Sequence, residues 1–246
     1  MRRFTIAPDG RRGNHVTFSR DESRHLARVL RLPPGATVIA VDGSGRDYTV
    51  RLDTVGATTT GTIVGEAAHD AESPFPITLV QGVPKGDKLD DVVRAATELG
   101  VARIAPAFTA RTVVKLDTAR AGTRRTRWER IAREAAKQCG RSRLPVIEAP
   151  RPLAELLAEA APAGTLRLCL WEAERTPLER ALAAAAHPSS AIVVVGPEGG
   201  LTREEADAAR AAGFHLAGLG PRLLRTETAG PAIIAVLQFR YGDLGR

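Results

Sequence analysis

At Ile77 the hydrophobic pattern of this chain changes period, and that change limits the fold more than any other feature of the sequence. Upstream, residues 1–66 carry short stretches of alternating apolar and polar residues, HVTFS, TVIAVDG, DYTVRLD and TGTIVGE. One helical stretch, ESRHLARVLRL, and the turn PPG interrupt them. Alternation with Gly-rich punctuation predicts a small β-barrel. Downstream, the apolar runs ITLVQG, RIAPAF, LRLCLW, AIVVVG and FHLAGL alternate with helical periods near 87–99, 124–138, 152–160, 177–186, 203–212 and 228–240. That pattern predicts an α/β domain with a mostly parallel sheet and helices on its faces. The segment AHDAESPFP at 68–76 reads as the linker, which divides the chain into domains at 1–70 and 71–246.

With 43% hydrophobic and 26% charged residues, the chain has the composition of a globular protein with a real core. Its longest apolar runs are far below the roughly 18 residues that span a bilayer. The N-terminal MRRFTIAPDGRRG is basic but lacks the apolar stretch of a secretory signal, so a cytoplasmic location is expected. Cys139 and Cys169 have no thiol or histidine at metal-ligand spacing, and both are expected in the core. Neither G-x-G-x-x-G nor G-x-x-x-x-G-K-[ST] occurs, since GVPKGDK has the wrong spacing, and H-E-x-x-H and G-x-S-x-G are also missing. These absences argue against hydride transfer, P-loop hydrolysis, zinc proteolysis and serine hydrolysis.

The net charge is +7, and it is unevenly placed: +2 over residues 1–70, +6 over 71–150 and −1 over 151–246. Positions 111–143 hold eleven Arg or Lys against Asp117, Glu129 and Glu134, a concentration that attracts polyphosphate. The preference for Arg over Lys, alongside the many alanines, reads equally as selection for bidentate phosphate contacts or as a bias of genome composition. In the helix near 124–138, Trp128, Ile131, Ala132 and Ala135 fall on the core face, while Arg127, Arg130, Lys137 and Arg141 form another stripe. Such a stripe tracks a nucleic-acid backbone or serves only as a solubilising face. On the helix near 87–99, Leu89, Val92, Val93, Ala96 and Leu99 line the core side, leaving Asp90, Asp91 and Glu98 on an opposite, solvated face.

Two loops carry the candidate chemistry. Gly196-Pro197-Glu198-Gly199-Gly200 follows the most β-rich run and precedes a helix with a capping-box start, Thr202 and Glu205. Glycines there let backbone amides approach a ligand closely, although many such turns are mere connections. The second loop, LGPRLLRTETAGP at 219–231, opens an apolar helix with Thr228 as the expected N-cap and Pro231 in its first turn. Capping explains the threonines but not Arg225 or Glu227 beside them.

GPEGGLTREE and LGPRLLRTETA together resemble the two cofactor loops of the SPOUT class of S-adenosylmethionine-dependent RNA methyltransferases. More narrowly, with RHLARVLRL, KGDKLDDVVRAATELGV and AAKQCGRSRLPVI, they resemble the bacterial RsmE family, which methylates N3 of uridine 1498 in 16S ribosomal RNA. The resemblance implies a PUA-like RNA-binding β-barrel at 1–70. It also implies a SPOUT-type parallel sheet with a C-terminal trefoil knot at 71–246, working as a homodimer on 16S rRNA or the small ribosomal subunit. Periodicity alone points to an ordinary doubly wound sheet. Carried onto this chain, the S-adenosylmethionine contacts would come from Leu170 and Trp171, from Gly196, Pro197, Glu198, Gly199 and Gly200, and from Leu219, Gly220, Leu224, Thr226 and Thr228.

Uracil N3 loses its proton before or during attack on a methyl group, so the site must stabilise an anion spread over N3, O2 and O4. Arg225 is assigned that task. Glu198 and Glu227 are the candidate proton acceptors, and no metal is required. With only 4% aromatic residues, recognition by shape and phosphate contacts, shared between the barrel and Arg127, Arg130, Lys137 and Arg141, is expected rather than base stacking. The alternatives are another SPOUT activity such as ribose 2′-O-methylation, or a non-catalytic RNA-binding or ribosome-assembly protein.

Overall fold

The structure, a computed structural model, describes residues 3–68, 71–112, 118–185 and 187–245. His69 and Asp70 of the linker, and Lys115 and Asp117 of the basic segment, lie outside the described residues. The chain forms two compact units, 1–72 with 133–144, and 73–132 with 145–246.

In the first unit, strands β1 (Arg3–Arg12), β2 (His15–Phe18), β3 (Thr37–Val41), β4 (Arg46–Thr54) and β5 (Thr60–Ala68) close into a barrel in the order β1-β2-β5-β4-β3. Closure runs through a parallel pairing of β1 with β3, Phe4 facing Ala40, while the other pairings are antiparallel. Phe4, Ile6, Val16, Phe18, Val38, Val50 and Leu52 fill the interior. The sequence reading missed β1, because Arg, Pro and Gly dilute the alternation that Phe4 and Ile6 begin. The single helix expected over ESRHLARVLRL is two pieces. Helix α1 (Arg20–Arg24) is capped by Ser19, whose hydroxyl accepts from the Glu22 amide. A π-helical turn (His25–Val29) follows, closed by the Leu30 amide on the His25 carbonyl at 2.9 Å.

The second unit is built on a parallel sheet of β6 (Ile77–Gly82), β7 (Arg103–Phe108), β8 (Val146–Ile147), β9 (Arg151–Pro152), β10 (Thr165–Leu170), β11 (Ser190–Val195) and β12 (His215–Ala217). Their order is β12-β10-β11-β6-β7-β8, with β9 also on β7, and the short β8 and β9 had no counterpart in the sequence reading. Leu168 sits between Val193 on one side and His215 on the other, so β10 is an interior strand.

Helices α2 (Lys88–Glu98), α4 (Leu153–Leu157), α5 (Leu178–Ala183), α6 (Arg203–Ala211) and α7 (Thr226–Tyr241) lie where the periodicity put them. Helix α2 buries Leu89, Val92, Val93 and Ala96, of which the leucine and each valine contribute about 1.5–3 kcal/mol. Asp90 does not lie on a solvated face: it is buried and paired with Arg127 at 2.5 Å. Helix α3 (Thr118–Cys139) buries Trp128, Ile131, Ala132 and Ala135 as its period requires.

Helix α7 starts two residues before the expected position. Arg225, not Thr228, is its N-cap, and no side chain caps it. Pro231 therefore lies beyond the first turn, where it removes one i→i−4 bond inside the helix. No described helix is long and apolar enough to cross a membrane.

Candidate functional site

Strands β10, β11 and β12 run parallel and end together, so the loops leaving them meet at the carboxyl edge of the sheet, where open α/β sheets bind ligands. A crevice of about 810 Å³ opens there. Of the residues assigned to the cofactor from sequence, Leu170, Trp171, Gly196, Pro197, Glu198, Gly199, Gly200, Leu219, Gly220, Leu224 and Thr226 line it. Thr228 does not; it sits exposed in the first turn of α7, because the helix begins earlier than expected.

The first loop is held by its lack of side chains. A Cβ on Gly196 would stand 2.9 Å from the Gly200 carbonyl carbon, and one on Gly82 at the end of β6 would meet Pro197 at 2.5 Å. Gly200 has φ +70, and its amide donates to the Pro197 carbonyl to close the turn. The capping box then starts α6: the Glu205 amide donates to Thr202 Oγ1 and the Thr202 amide donates to Glu205 Oε2.

Gln81, which the sequence reading passed over, ties the two loops together. Fully buried, its Nε2 donates to Thr226 Oγ1 at 2.9 Å and faces the carbonyls of Gly82 and Gly196, three acceptors that fix the orientation of the amide. Thr226 Oγ1 donates in turn to the Gly196 carbonyl at 2.7 Å. A polar residue in the apolar run ITLVQG was the one sequence signal for it.

Lys88 was given no role, although its segment KGDKLDDVVRAATELGV contributes to the family resemblance. Its Nζ lies 2.9 Å from Glu198 Oε1 and 3.9 Å from Glu227 Oε2. The Glu198 carboxylate also accepts from the Lys85 amide. Partial burial pushes the Glu198 pKa up, but Lys88 and the backbone amides outweigh it and hold the group below the usual carboxylate range. Glu198 is therefore a poor proton acceptor. Glu227 differs: its Oε2 is buried and accepts no hydrogen bond. Arg225 is 84% exposed, with Nη1 3.9 Å from Glu227 Oε1, so the guanidinium is left for a partner from outside. The Cys169 thiol, by contrast, is pushed up to about 12 by burial and is inert core.

The RNA methyltransferase domain model matches residues 71–238, and an RNA methyltransferase PUA domain model matches 18–56. Ribosomal RNA small subunit methyltransferase E of Bacillus subtilis is 32% identical over 89% of this chain and 88% of its own length. The Synechocystis sp. protein of the same name is 32% identical over 95% and 76%. The chain belongs to the ribosomal RNA small subunit methyltransferase E family. Two solved structures agree across nearly the whole chain. One is ribosomal RNA small subunit methyltransferase E from Neisseria gonorrhoeae bound to S-adenosyl methionine, with 36% identity, a TM-score of 0.87 and 99% of both chains covered. The other is a putative methyltransferase from Legionella pneumophila in complex with bound SAM, with 31% identity, a TM-score of 0.89 and 98% of both covered.

For a member of this family, the basic stripe read from α3 needs correction. Arg127 is exposed but paired with Asp87 and Asp90. Arg130 is exposed and makes no ion pair among the described residues. Lys137 and Arg141 do not face solvent: within the first unit Lys137 bonds Glu22 at 2.8 Å, and Arg141, 6% exposed and beyond the helix end, bonds Glu72 at 2.9 Å. Helical spacing shows which residues share a face, but only tertiary packing shows that an acidic partner covers it.

Proposed function

We propose that the chain is an S-adenosylmethionine-dependent methyltransferase that modifies N3 of the uridine at position 1498 of 16S ribosomal RNA. The observation that carries this reading is the crevice at the joined ends of β10, β11 and β12, in a family whose members from N. gonorrhoeae and L. pneumophila hold this donor. Its volume is within the range that encloses small-molecule ligands, and Gly196, Gly199, Gly200, Gly218 and Gly220 add no side chains to fill it. Leu170, Trp171, the Gly196–Gly200 loop and the segment from Leu219 to Thr226 would hold the molecule. When bound, it supplies an electrophilic methyl group on a sulfonium.

The chain's own residues handle the proton and the charge. Glu227, whose Oε2 is buried and accepts no hydrogen bond, would take the N3 proton while the nitrogen lone pair bonds to the methyl carbon and the carbon–sulfur bond breaks, its electron pair leaving on sulfur. Lys88 Nζ faces that carboxylate at 3.9 Å and is itself held by Glu198, which stays charged. Arg225, free to reach outward, donates to the developing anion on the uracil oxygens.

In this reading, residues 1–70 form the RNA-binding PUA-like domain and residues 71–246 the catalytic domain. A C-terminal trefoil knot passes through the loops that Gln81 and Thr226 join. The enzyme works in the cytoplasm as a homodimer on 16S rRNA or the small subunit. The apolar, exposed Val236 and Phe239 on α7 support a partner copy. The test is methyl transfer from labelled S-adenosylmethionine to 16S rRNA and to small subunits lacking the modification, with the product base mapped by digestion and mass spectrometry. A methyl group on N3 of one uridine is expected; a ribose methyl, or none, overturns the reading.

A further inference from the structure

We propose that Arg20, Arg24, Arg28 and Arg31, on the outer side of α1 and the π-helical turn, form the surface of the first unit that receives an RNA phosphate backbone. The proposal rests on the reading of the chain as an RNA-modifying enzyme and replaces Lys137 and Arg141 as the RNA contacts. All four arginines are exposed, and none makes an ion pair among the described residues. Several other basic side chains are committed, Arg3 to Asp47, Arg46 to Glu66, Arg125 to Glu129, Arg127 to Asp90, Lys137 to Glu22 and Arg141 to Glu72, whereas exposed arginines without an ion pair among the described residues, such as Arg12, Arg51 and Arg130, lie on other elements. Of the acids on the same elements, Glu22 is turned inward to the Thr5 amide and Lys137, leaving Asp21 exposed. The stripe thus keeps a local surplus of positive charge, the requirement for a polyanion site.

The backbone is shaped to keep this stripe in line. Residues four apart on a regular α-helix drift by about 40° around its axis, since a turn takes about 3.6 residues. The five-residue closure at His25–Leu30 widens the turn and offsets part of that drift, bringing Arg28 back toward the line of Arg20. Ser23 and Leu26, both fully buried, clamp the opposite side into the barrel. After the turn, Leu30 and Leu32 pack on the core, and Arg31 between them stands out at φ +51. It is the one described non-glycine residue with positive φ. A glycine would hold that conformation with less strain, so an arginine there keeps a charge against the local preference.

Phosphate rather than base is the fitting ligand, because the stripe offers exposed guanidinium groups while the ring of His25 on the same segment is packed edge-on against Phe4. An anionic membrane fits less well: Val29 is the lone large apolar side chain exposed on this segment, and one valine makes no inserting face.

The test compares the full chain with the quadruple Arg→Gln variant and with Arg31→Gly in binding a 16S rRNA fragment across a range of salt, with S-adenosylmethionine binding measured alongside by calorimetry. The slope of log K against log salt is expected to fall by about three to four in the quadruple variant and by about one in Arg31→Gly, because each lost phosphate contact removes roughly 0.7–0.9. Affinity should drop about tenfold or more in the quadruple variant, with donor binding unchanged. Arg31→Gly should melt no lower than the parent, which decides the matter if the quadruple variant misfolds. Parental slopes in folded variants overturn the proposal. So does loss of binding to phosphatidylglycerol vesicles with RNA binding intact. A parent that binds RNA through these arginines yet transfers no methyl group would instead overturn the enzymatic reading and leave the surface standing.

Discussion

Gln81 Nε2 donates to Thr226 Oγ1 over 2.9 Å, joining the end of β6 to the first residue of α7 across 145 positions of chain. Because Thr226 passes a hydrogen bond on to the Gly196 carbonyl, this pair holds both crevice loops to the sheet. Thr226→Val is expected to lower stability by about 1–3 kcal/mol, since it removes two buried hydrogen bonds and leaves Gln81 Nε2 and the Gly196 carbonyl with only their longer contact to each other and that of Nε2 to the Gly82 carbonyl. Donor affinity should fall with it, and Thr226→Ser should restore both. Calorimetry and thermal melting check this; a valine variant with parental donor affinity would show that the clasp does not shape the crevice.

Gly196→Val and Gly200→Val should abolish donor binding for different reasons. At Gly196 the new Cβ meets the backbone of Gly200, which has no room to yield, whereas at Gly200 it meets the Glu172 carboxylate and a strained φ of +70. Gly200→Ala is therefore the milder change, costing about 1 kcal/mol of loop strain, and Glu172→Ala should rescue part of it. Donor titrations on the three variants distinguish the two causes.

Arg225 carries little of the fold, being exposed and only loosely paired with Glu227. Arg225→Ala should thus leave melting and donor binding unchanged while the single-turnover methylation rate falls by roughly 10²-fold. Arg225→Lys should recover part of that loss, because a point charge replaces a planar fork. Glu227→Gln should lower the rate as well and flatten its pH dependence, whereas Glu198→Gln should act mainly by freeing Lys88. An undiminished rate in Arg225→Ala removes the residue from the mechanism.

Lys137→Ala and Arg141→Ala should act on stability instead of RNA affinity. Each removes the cation from an acidic side chain inside the first unit, leaving Glu22 with the Thr5 amide and Glu72 with the Ser142 and Arg143 amides, so the cost is expected to be about 1–3 kcal/mol. Denaturant midpoints should fall while the salt slope of RNA binding stays at its parental value.

Acid stability follows from a second ion-pair group. Burial alone would raise Glu148 and Glu159, but Arg103 and Arg151 outweigh it and hold both carboxyls below their ordinary value near 4.5. A pKa lowered in the folded state contributes stability above the unfolded value and loses it as pH falls through the folded one. Melting temperature should therefore drop below about pH 4.5, and the Glu148→Gln, Glu159→Gln double variant should show a shallower drop.

Local pattern by itself determined where strands of a barrel give way to alternating strands and helices, because the two have different periods and the change at Ile77 is written in the order of the side chains, but only the fold places residues 133–144 in the first unit. Local pattern also determined the capping box at Thr202 and the two Gly-rich turns, since turns and caps are set by a few neighbouring residues. Tertiary structure alone decided the rest. Strand β1 is recognisable only through its pairing with β2 and β3, because its own residues alternate weakly. Helix α7 begins at Thr226, where Thr226 Oγ1 is engaged by Gln81 and the Gly196 carbonyl, and not at the better local cap, Thr228. Lys88 enters the crevice, and Lys137 and Arg141 drop out of the exposed basic stripe, through partners more than 60 positions away. Spacing along a chain sets which side chains share a face, whereas the burial and charge of that face depend on what the fold packs against it.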